Sequence, residues 1–172
     1  MRTFFTGIKQ RVSGKIFTAL LALSVVTSVG LAAGLIYFQY LPDRATDAAA
    51  AKSAITAATG GTVAILSYSS DTLDRDFSSA KSHLTGDFLS YYNQFSQQIV
   101  ALAAKPKSLK TTAVVLRAAV SELHPDSAVV LMFVNQRTVS LDRPEPTLTT
   151  SSVLATLTKA HGQWLISSFE PV

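Results

Sequence analysis

The chain has 172 residues, 48% of them hydrophobic, with 15 lysines and arginines against 11 aspartates and glutamates, and no cysteine. The lack of cysteine excludes a disulfide framework and a lipoprotein attachment site, so any folded part is held by its core alone. The net charge of +4 raises nucleic-acid binding as a reading only until the charges are placed, because Arg2, Lys9, Arg11 and Lys15 all precede one long uncharged run. From Asp43 to Val172 the 11 remaining basic residues meet 11 acidic ones, and that segment is neutral.

Ile16 to Leu41 carries no charged residue. A helix rises about 1.5 Å per residue and roughly 20 apolar residues cross the ~30 Å hydrocarbon layer, so the stretch Ile16–Phe38 spans a bilayer with some tilt. The basic cluster ahead of it places the N-terminus in the cytoplasm and residues 43 onward outside, in a single pass. Tyr37 and Tyr40 stand at the far boundary, where amphipathic rings favour the interface. A cleavable secretory signal is the competing reading, with weak small-residue sites at Gly30-Leu31-Ala32 and in Ala48–Ala51. Apolar and aromatic residues continue through Leu35, Ile36, Tyr37, Phe38, Tyr40 and Leu41, which favours an uncleaved anchor in the plasma membrane. The chain therefore reads as a cytoplasmic basic tail (1–15), a transmembrane helix (16–41) and an extracytoplasmic domain (43–172), with a bend at Pro42.

The outer domain, about 130 residues long and thus able to bury a core, begins with an alanine-rich segment from Asp43 to about Tyr68. Ile55, Ala58, Thr62 and Ile65 recur there at helical spacing, and Gly60-Gly61 predicts a kink or a close helix contact. Asp71-Thr72-Leu73-Asp74 reads as a helix start, with Asp71 accepting from the free N–H groups of the first turn. Phe77, Ala80, Leu84, Phe88, Tyr92, Phe95, Ile99 and Leu102 then follow at steps of three or four, an amphipathic stripe. Thr85-Gly86 divides it into two helices, with Thr85 as the second cap, and Pro106 ends it. The plain reading of these aromatics is a core face; the alternative is that some line a pocket or a partner groove.

From Leu109 the period changes from 3.6 to 2. Leu109–Val120 alternates as a strand, and His124-Pro125-Asp126-Ser127 is turn chemistry. Ala128–Val134 is apolar on both faces and predicts a central strand. Arg143-Pro144-Glu145-Pro146 is a loop, and Leu148–Thr158 is a β-branched strand. Ala160-His161-Gly162-Gln163 is a tight reversal into a last strand, Trp164–Phe169. Helices followed by four antiparallel strands predict an α+β layer pair, with the aromatic stripe across one sheet face.

The basic tail, the single membrane helix, the alanine-rich helix with Gly60-Gly61, and Tyr68-Ser69 before Asp71-Thr72-Leu73 occur in a distinctive order. They are followed by Leu84-Thr85-Gly86-Asp87-Phe88, Val130 to Asn135, and Gly162-Gln163-Trp164-Leu165-Ile166 with a closing Pro171-Val172. In this order the chain resembles the actinobacterial Mce-associated membrane proteins, small partners of the mammalian-cell-entry lipid importers. That resemblance covers nearly the whole chain. It implies a cone-like domain of helices wrapped on a curved sheet, similar to type IV secretion assembly factors and to nuclear transport factor and ketosteroid isomerase relatives. It also implies Mce-type importer subunits or a permease as partners, beside membrane lipid, and it brings no catalytic residues.

Acid–base catalysis in such a cone needs a carboxylate or histidine in an apolar pocket. The candidates are Asp76, His83, Asp87, Tyr91 and Tyr92. Asp87 reads as a dipole partner at a helix start and Asp76, beside Arg75, as part of a solvated face. No two histidines have ligand spacing and no glycine loop cradles phosphate, so neither a metal nor a cofactor is expected. Three classes of function remain. The first is a non-catalytic accessory subunit that stabilises an Mce-type lipid-import complex. It would dock through Gly30 and Gly34 in the membrane, where Ala33 also allows close approach, and through Phe88, Tyr91, Tyr92, Phe95 and Trp164 outside. The second is a lipid- or sterol-binding module with a cavity lined by Phe77, Phe88, Tyr91, Tyr92, Phe95 and Phe133. The third is a cone-fold hydrolase or isomerase.

Overall fold

The computed structural model describes residues 6–40 and 46–172. Arg2, the bend at Pro42 and the domain start at Asp43 lie outside the described residues, as do the side chains of Lys9, Arg11, Lys15 and Tyr40. The chain divides into two compact units, Met1–Arg44 and Ala45–Val172.

The first unit is one helix, α1 (Thr6–Leu35), which widens into a π-turn over Ile36–Tyr40. Phe17, Leu20, Leu23, Val26, Val29, Leu31 and Phe38 are all exposed, and they point to every side of the rod rather than to one face. A helix apolar all round needs a cover that is itself apolar, and the stretch from Phe17 to Phe38 is about 33 Å long, the thickness of a hydrocarbon layer. Hydroxyls in its apolar stretch bond back to the helix: Thr27 Oγ1 donates to the Leu23 carbonyl at 2.9 Å and Ser28 Oγ to that of Ser24 at 2.7 Å. This is how polar groups are carried in lipid.

The second unit opens with α2 (Ala48–Leu66), capped by Asp47, whose Oδ1 accepts from the Ala50 N–H at 2.8 Å. Among the described residues α2 is the one helix whose length and composition would let it cross a membrane, the apolar stretch Leu23–Phe38 being shorter. Its buried line, Ala54, Ala58, Gly61, Thr62 and Ile65, instead lies on the sheet and makes it a core helix. Next come β1 (Tyr68–Ser69), α3 (Leu73–Lys81) and α4 (Gly86–Phe95), which passes through a π-turn (Ser96–Val100) into α5 (Ala101–Lys107). Four long strands complete the chain: β2 (Lys110–Leu123), β3 (Ser127–Val139), β4 (Thr147–Ala160) and β5 (Gln163–Pro171). The sheet is antiparallel throughout in the order β1-β2-β3-β4-β5.

The sheet thus has five strands and not the expected four. The extra one, β1, sets Tyr68 opposite Thr111 and Ser69 opposite Lys110, and two residues are too few to show a period. β3 is central, as its two apolar faces predict, with Val130, Met132 and Val134 fully buried beneath α2. Both hairpins form at the expected turns. His124 N donates to the Ser127 carbonyl at 2.8 Å, and His161 and Gly162 both take positive φ, 51° and 79°, the backbone of a tight two-residue hairpin. A bulge at Leu116 and another at Ser121 interrupt the alternation of β2, so Val114 and Leu116 stay on the outward face while Ala118 and Val120 turn inward.

Two further expectations are corrected. The helix across the sheet face is α2, whereas the aromatic stripe packs beside β5 and only its first half is core: Phe77, Ala80, Leu84 and Tyr92 are buried, but Phe95, Ile99 and Leu102 are exposed. The π-turn is the cause. Its wider turn keeps Tyr92, Ser96, Val100 and Ala104, spaced by four, on the inward side and leaves Ile99 and Leu102, beyond Phe95, outward. Asp71 caps nothing by its side chain; Thr72 is the cap residue, and the carboxylate that serves this corner is Asp76, whose Oδ2 accepts from Thr72 Oγ1 at 2.6 Å and Ser69 N at 3.1 Å. Asp76 is therefore a half-buried staple between β1 and α3 and not a solvated face.

Gly60-Gly61 makes a close contact without a kink, since α2 runs unbroken through it. A Cβ on Gly61 would stand 2.6 Å from Ile166 Cδ1, a core atom, whereas a Cβ on Gly60 meets nothing within 4 Å. Gly61→Val should lower unfolding free energy by about 2 kcal/mol through overpacking, and Gly60→Ala should raise it by roughly 0.5–1 kcal/mol through helix propensity. Thermal denaturation of the two variants reads both signs.

Candidate interaction surfaces

The aromatic side chains expected to act together fall into three places. Phe77 and Tyr92 meet edge to face inside the core, 6.3 Å between centroids. Phe133 lies on the face of β3 turned away from the helices, between buried Met132 and Val134. The third group is a ladder beside the edge strand: Phe169 stacks on Phe88 at 6.1 Å, Phe88 on Tyr91 at 6.3 Å, and Tyr91 on Phe95 at 5.7 Å, with interplanar angles of 16–23°. Phe88 also lies 6.5 Å from Tyr92, so the core pair and the ladder join while Phe133 stands apart on the other face; the six residues expected to line one cavity pack ring against ring or point away from it. The ladder leads into Ile99 and Leu102, and Tyr91, Ile99 and Leu102 are 59%, 56% and 71% exposed.

Trp164, grouped with these aromatics by sequence, stands elsewhere. It is buried at the start of β5, with Lys159 Nζ 5.2 Å from its ring centroid. Trp164 and Leu165 form one wall of a groove of about 850 Å³ whose other wall is the face of α2 from Ala49 to Gly60, with His83 at its end. Nothing in the sequence marks this groove, because its walls come from residues about a hundred positions apart. In α1 and the π-turn after it, Gly30, Leu31, Gly34, Leu35 and Phe38 border a shallow notch, and a Cβ on either glycine would meet nothing within 4 Å.

The titratable candidates have structural partners or none in common. Asp76 is held by Thr72 and Ser69 as described, with Arg75 Nε 3.7 Å from its other oxygen. His83 is pinned by its backbone, its carbonyl accepting from Ile166 N at 2.8 Å. Thr85 caps α4 by geometry alone: its N–H donates to the Ile166 carbonyl at 2.9 Å, and Gly86 takes φ +61° to begin the helix. Asp87 is exposed in that first turn. Among the described residues no three His, Asp or Glu side chains come together as a metal ion would require.

No described family model matches the chain. It is 58% identical over 164 residues to the uncharacterized protein Rv1362c of Mycobacterium tuberculosis, covering 95% of this chain and 74% of that one. It is 41% identical over 153 residues to the outer membrane protein Rv1973 of the same organism, covering 88% and 91%. In fold it is similar to the periplasmic domain of DotI, with a TM-score of 0.58 at 19% identity over 69% of this chain and 91% of that one. The Agrobacterium tumefaciens VirB8 protein scores 0.53 at 14% identity (68% and 88%), and an NTF2-like superfamily protein from Salmonella enterica scores 0.51 at 14% identity (70% and 91%). These likenesses show the α+β fold with an antiparallel sheet that the resemblance implied, with five strands where four were expected.

Tyr92 gives the division between core and surface aromatics a measurable sign. Burial first, then the nearby Tyr68 and Asp76, push its phenol up from 10.0 to about 12. A raised acid keeps its proton in the folded state while the unfolded chain loses it, so this contribution is whole below pH 10 and disappears as pH climbs toward 12. Unfolding free energy should fall by up to about 1.4 kcal/mol per pH unit in that window, and Tyr92→Phe should remove that part of the slope in denaturant titrations.

Proposed function

The chain belongs to the family of the Mycobacterium tuberculosis proteins Rv1362c and Rv1973, and from that premise we propose that it is a non-catalytic accessory subunit of a multi-protein assembly in the cell envelope, of the mammalian-cell-entry lipid-import class. The observation that carries the reading is the exposed side of α4–α5. From Phe88 to Ala104 there is no charged residue, yet Tyr91, Phe95, Ile99 and Leu102 lie in the open with Gln94 and Gln98 beside them. Aromatic and aliphatic groups free of charge and rimmed by neutral amides are the composition of a protein–protein interface core. The similarity in fold to DotI and VirB8, the latter with a homologue, CagV, in a type IV secretion system, supports a scaffold held by contacts. Anchoring rests on the uncharged part of α1 that follows Lys15, with the N-terminus cytoplasmic by its basic cluster and the domain outside. In the bilayer, Gly30 and Gly34 leave a notch that suits the close approach of a partner helix.

Ile99→Glu combined with Leu102→Glu should lower retention of partner subunits about ten-fold in gentle-detergent purification of the full chain from native membranes. Leu141→Glu, an exposed substitution on the loop after β3, is the control and should leave retention unchanged. Deletion of the protein should reduce importer-subunit abundance or lipid uptake. Identical partner sets for all variants, with normal importer levels after deletion, would count against the reading.

A further inference from the structure

The groove between α2 and the start of β5 has two properties that the fold does not require. One is Gly60. A helix-interior glycine is less favourable than alanine by roughly 1 kcal/mol, and unlike Gly61 this one relieves no contact, since a Cβ there meets nothing within 4 Å. What its bare backbone does is keep the wall low along Ala49, Ser53, Ala57 and Gly60, where each missing atom widens the groove. The other is charge. None of the residues lining the groove is acidic, Lys52 is exposed on its wall, and Lys159 stands one ring away behind Trp164. Asp47, the nearest carboxylate in sequence, is engaged in capping the Ala50 N–H.

We propose that this groove binds a lipid of the anchoring bilayer that has an anionic headgroup, with the acyl chain laid between the Ala57–Gly60 wall and Trp164–Leu165 and the headgroup held by Lys52. A volume of about 850 Å³ falls within the roughly 300–1,000 Å³ of small-molecule sites, which are mostly apolar with a few placed polar groups. The walls are set before any ligand arrives. Ile166 N and O bond the His83 carbonyl and the Thr85 N–H, which fixes the end of the groove, and the positive-φ turn His161-Gly162 fixes its rim. Supply is provided by the tether, because residues 41–47 are all that separate the apolar rod from α2. The bilayer that holds the rod is therefore a permanent source of ligand at high local concentration.

The test uses the full chain in nanodiscs that contain phosphatidylglycerol carrying a photoreactive group on its acyl chain, with adducts mapped by peptide mass spectrometry. Labelling of peptides 49–60 and 162–165 is expected in addition to labelling of the rod. Gly60→Trp should abolish the groove adducts, and Lys52→Gln should lower them about five-fold. A zwitterionic phosphatidylcholine probe should label the groove as weakly as Lys52→Gln does. Melting curves identify any variant that fails to fold, and Ser53→Trp, on the same exposed wall, then takes the place of Gly60→Trp. Adducts confined to the rod, groove labelling indifferent to Lys52→Gln, or a groove shielded in native membranes by a cross-linked protein helix would each overturn the proposal. Partner retention measured on the same Lys52→Gln sample reports on the accessory-subunit reading alone, so the two can fail separately.

Discussion

The approach of α2 to the sheet at Gly61 sets the spacing on which the outer domain is built. With no side chain there, the helix backbone comes down until it is stopped by Ile166, and Ala54 and Ala58 let the preceding turns follow it. The hollow is then filled from below by Met132, Val130, Val134 and Leu157, each fully buried, at about 1.5–3 kcal/mol for every such side chain removed from water. Ile166 is held in turn on its other side. Its N–H and carbonyl are bonded to the segment His83–Thr85, so the same residue that receives α2 also fixes the corner between α3 and α4. Helix height, strand position and helix corner are coupled through one side chain and its backbone.

Against that fixed frame, α4–α5 is free to serve two masters. Its inward line runs from Tyr92 through Ser96 and Val100 to Ala104, an aromatic at one end and a methyl group at the other. The large apolar groups that a regular helix would have taken inward are displaced to the outside by the π-turn. Such turns are frequent where function overrides regular packing, and here the result is an uncharged, aromatic flank that stability alone does not require.

How much of this was legible in sequence depends on the range over which each signal acts. The long strands, both tight hairpins and the need for closeness at Gly60-Gly61 are local patterns, and each was read from adjacent residues. What stayed hidden was decided by pairing or by register. β1 is only two residues long, the bulges at Leu116 and Ser121 reverse a face in mid-strand, and the π-turn rephases the stripe after Phe95. Asp76, which sits beside Arg75 like any solvated carboxylate, takes its role from Ser69 and Thr72 once the corner closes. Of the candidate contacts, Phe88, Tyr91 and Phe95 do form one surface, while Tyr92 went to the core and Trp164 to a groove assembled from distant parts of the chain.

The borders of the sheet decide what kind of neighbour this domain accepts. On β5 the backbone of Ile166 is already occupied by His83 and Thr85, and on β2 two bulges break the ladder beyond the short pairing with β1. Both margins are interrupted in this way, which disfavours extension of the sheet by another chain and favours docking through side chains. Substitutions on the outside of α4 and α5 can thus alter that flank while the architecture underneath stays the same.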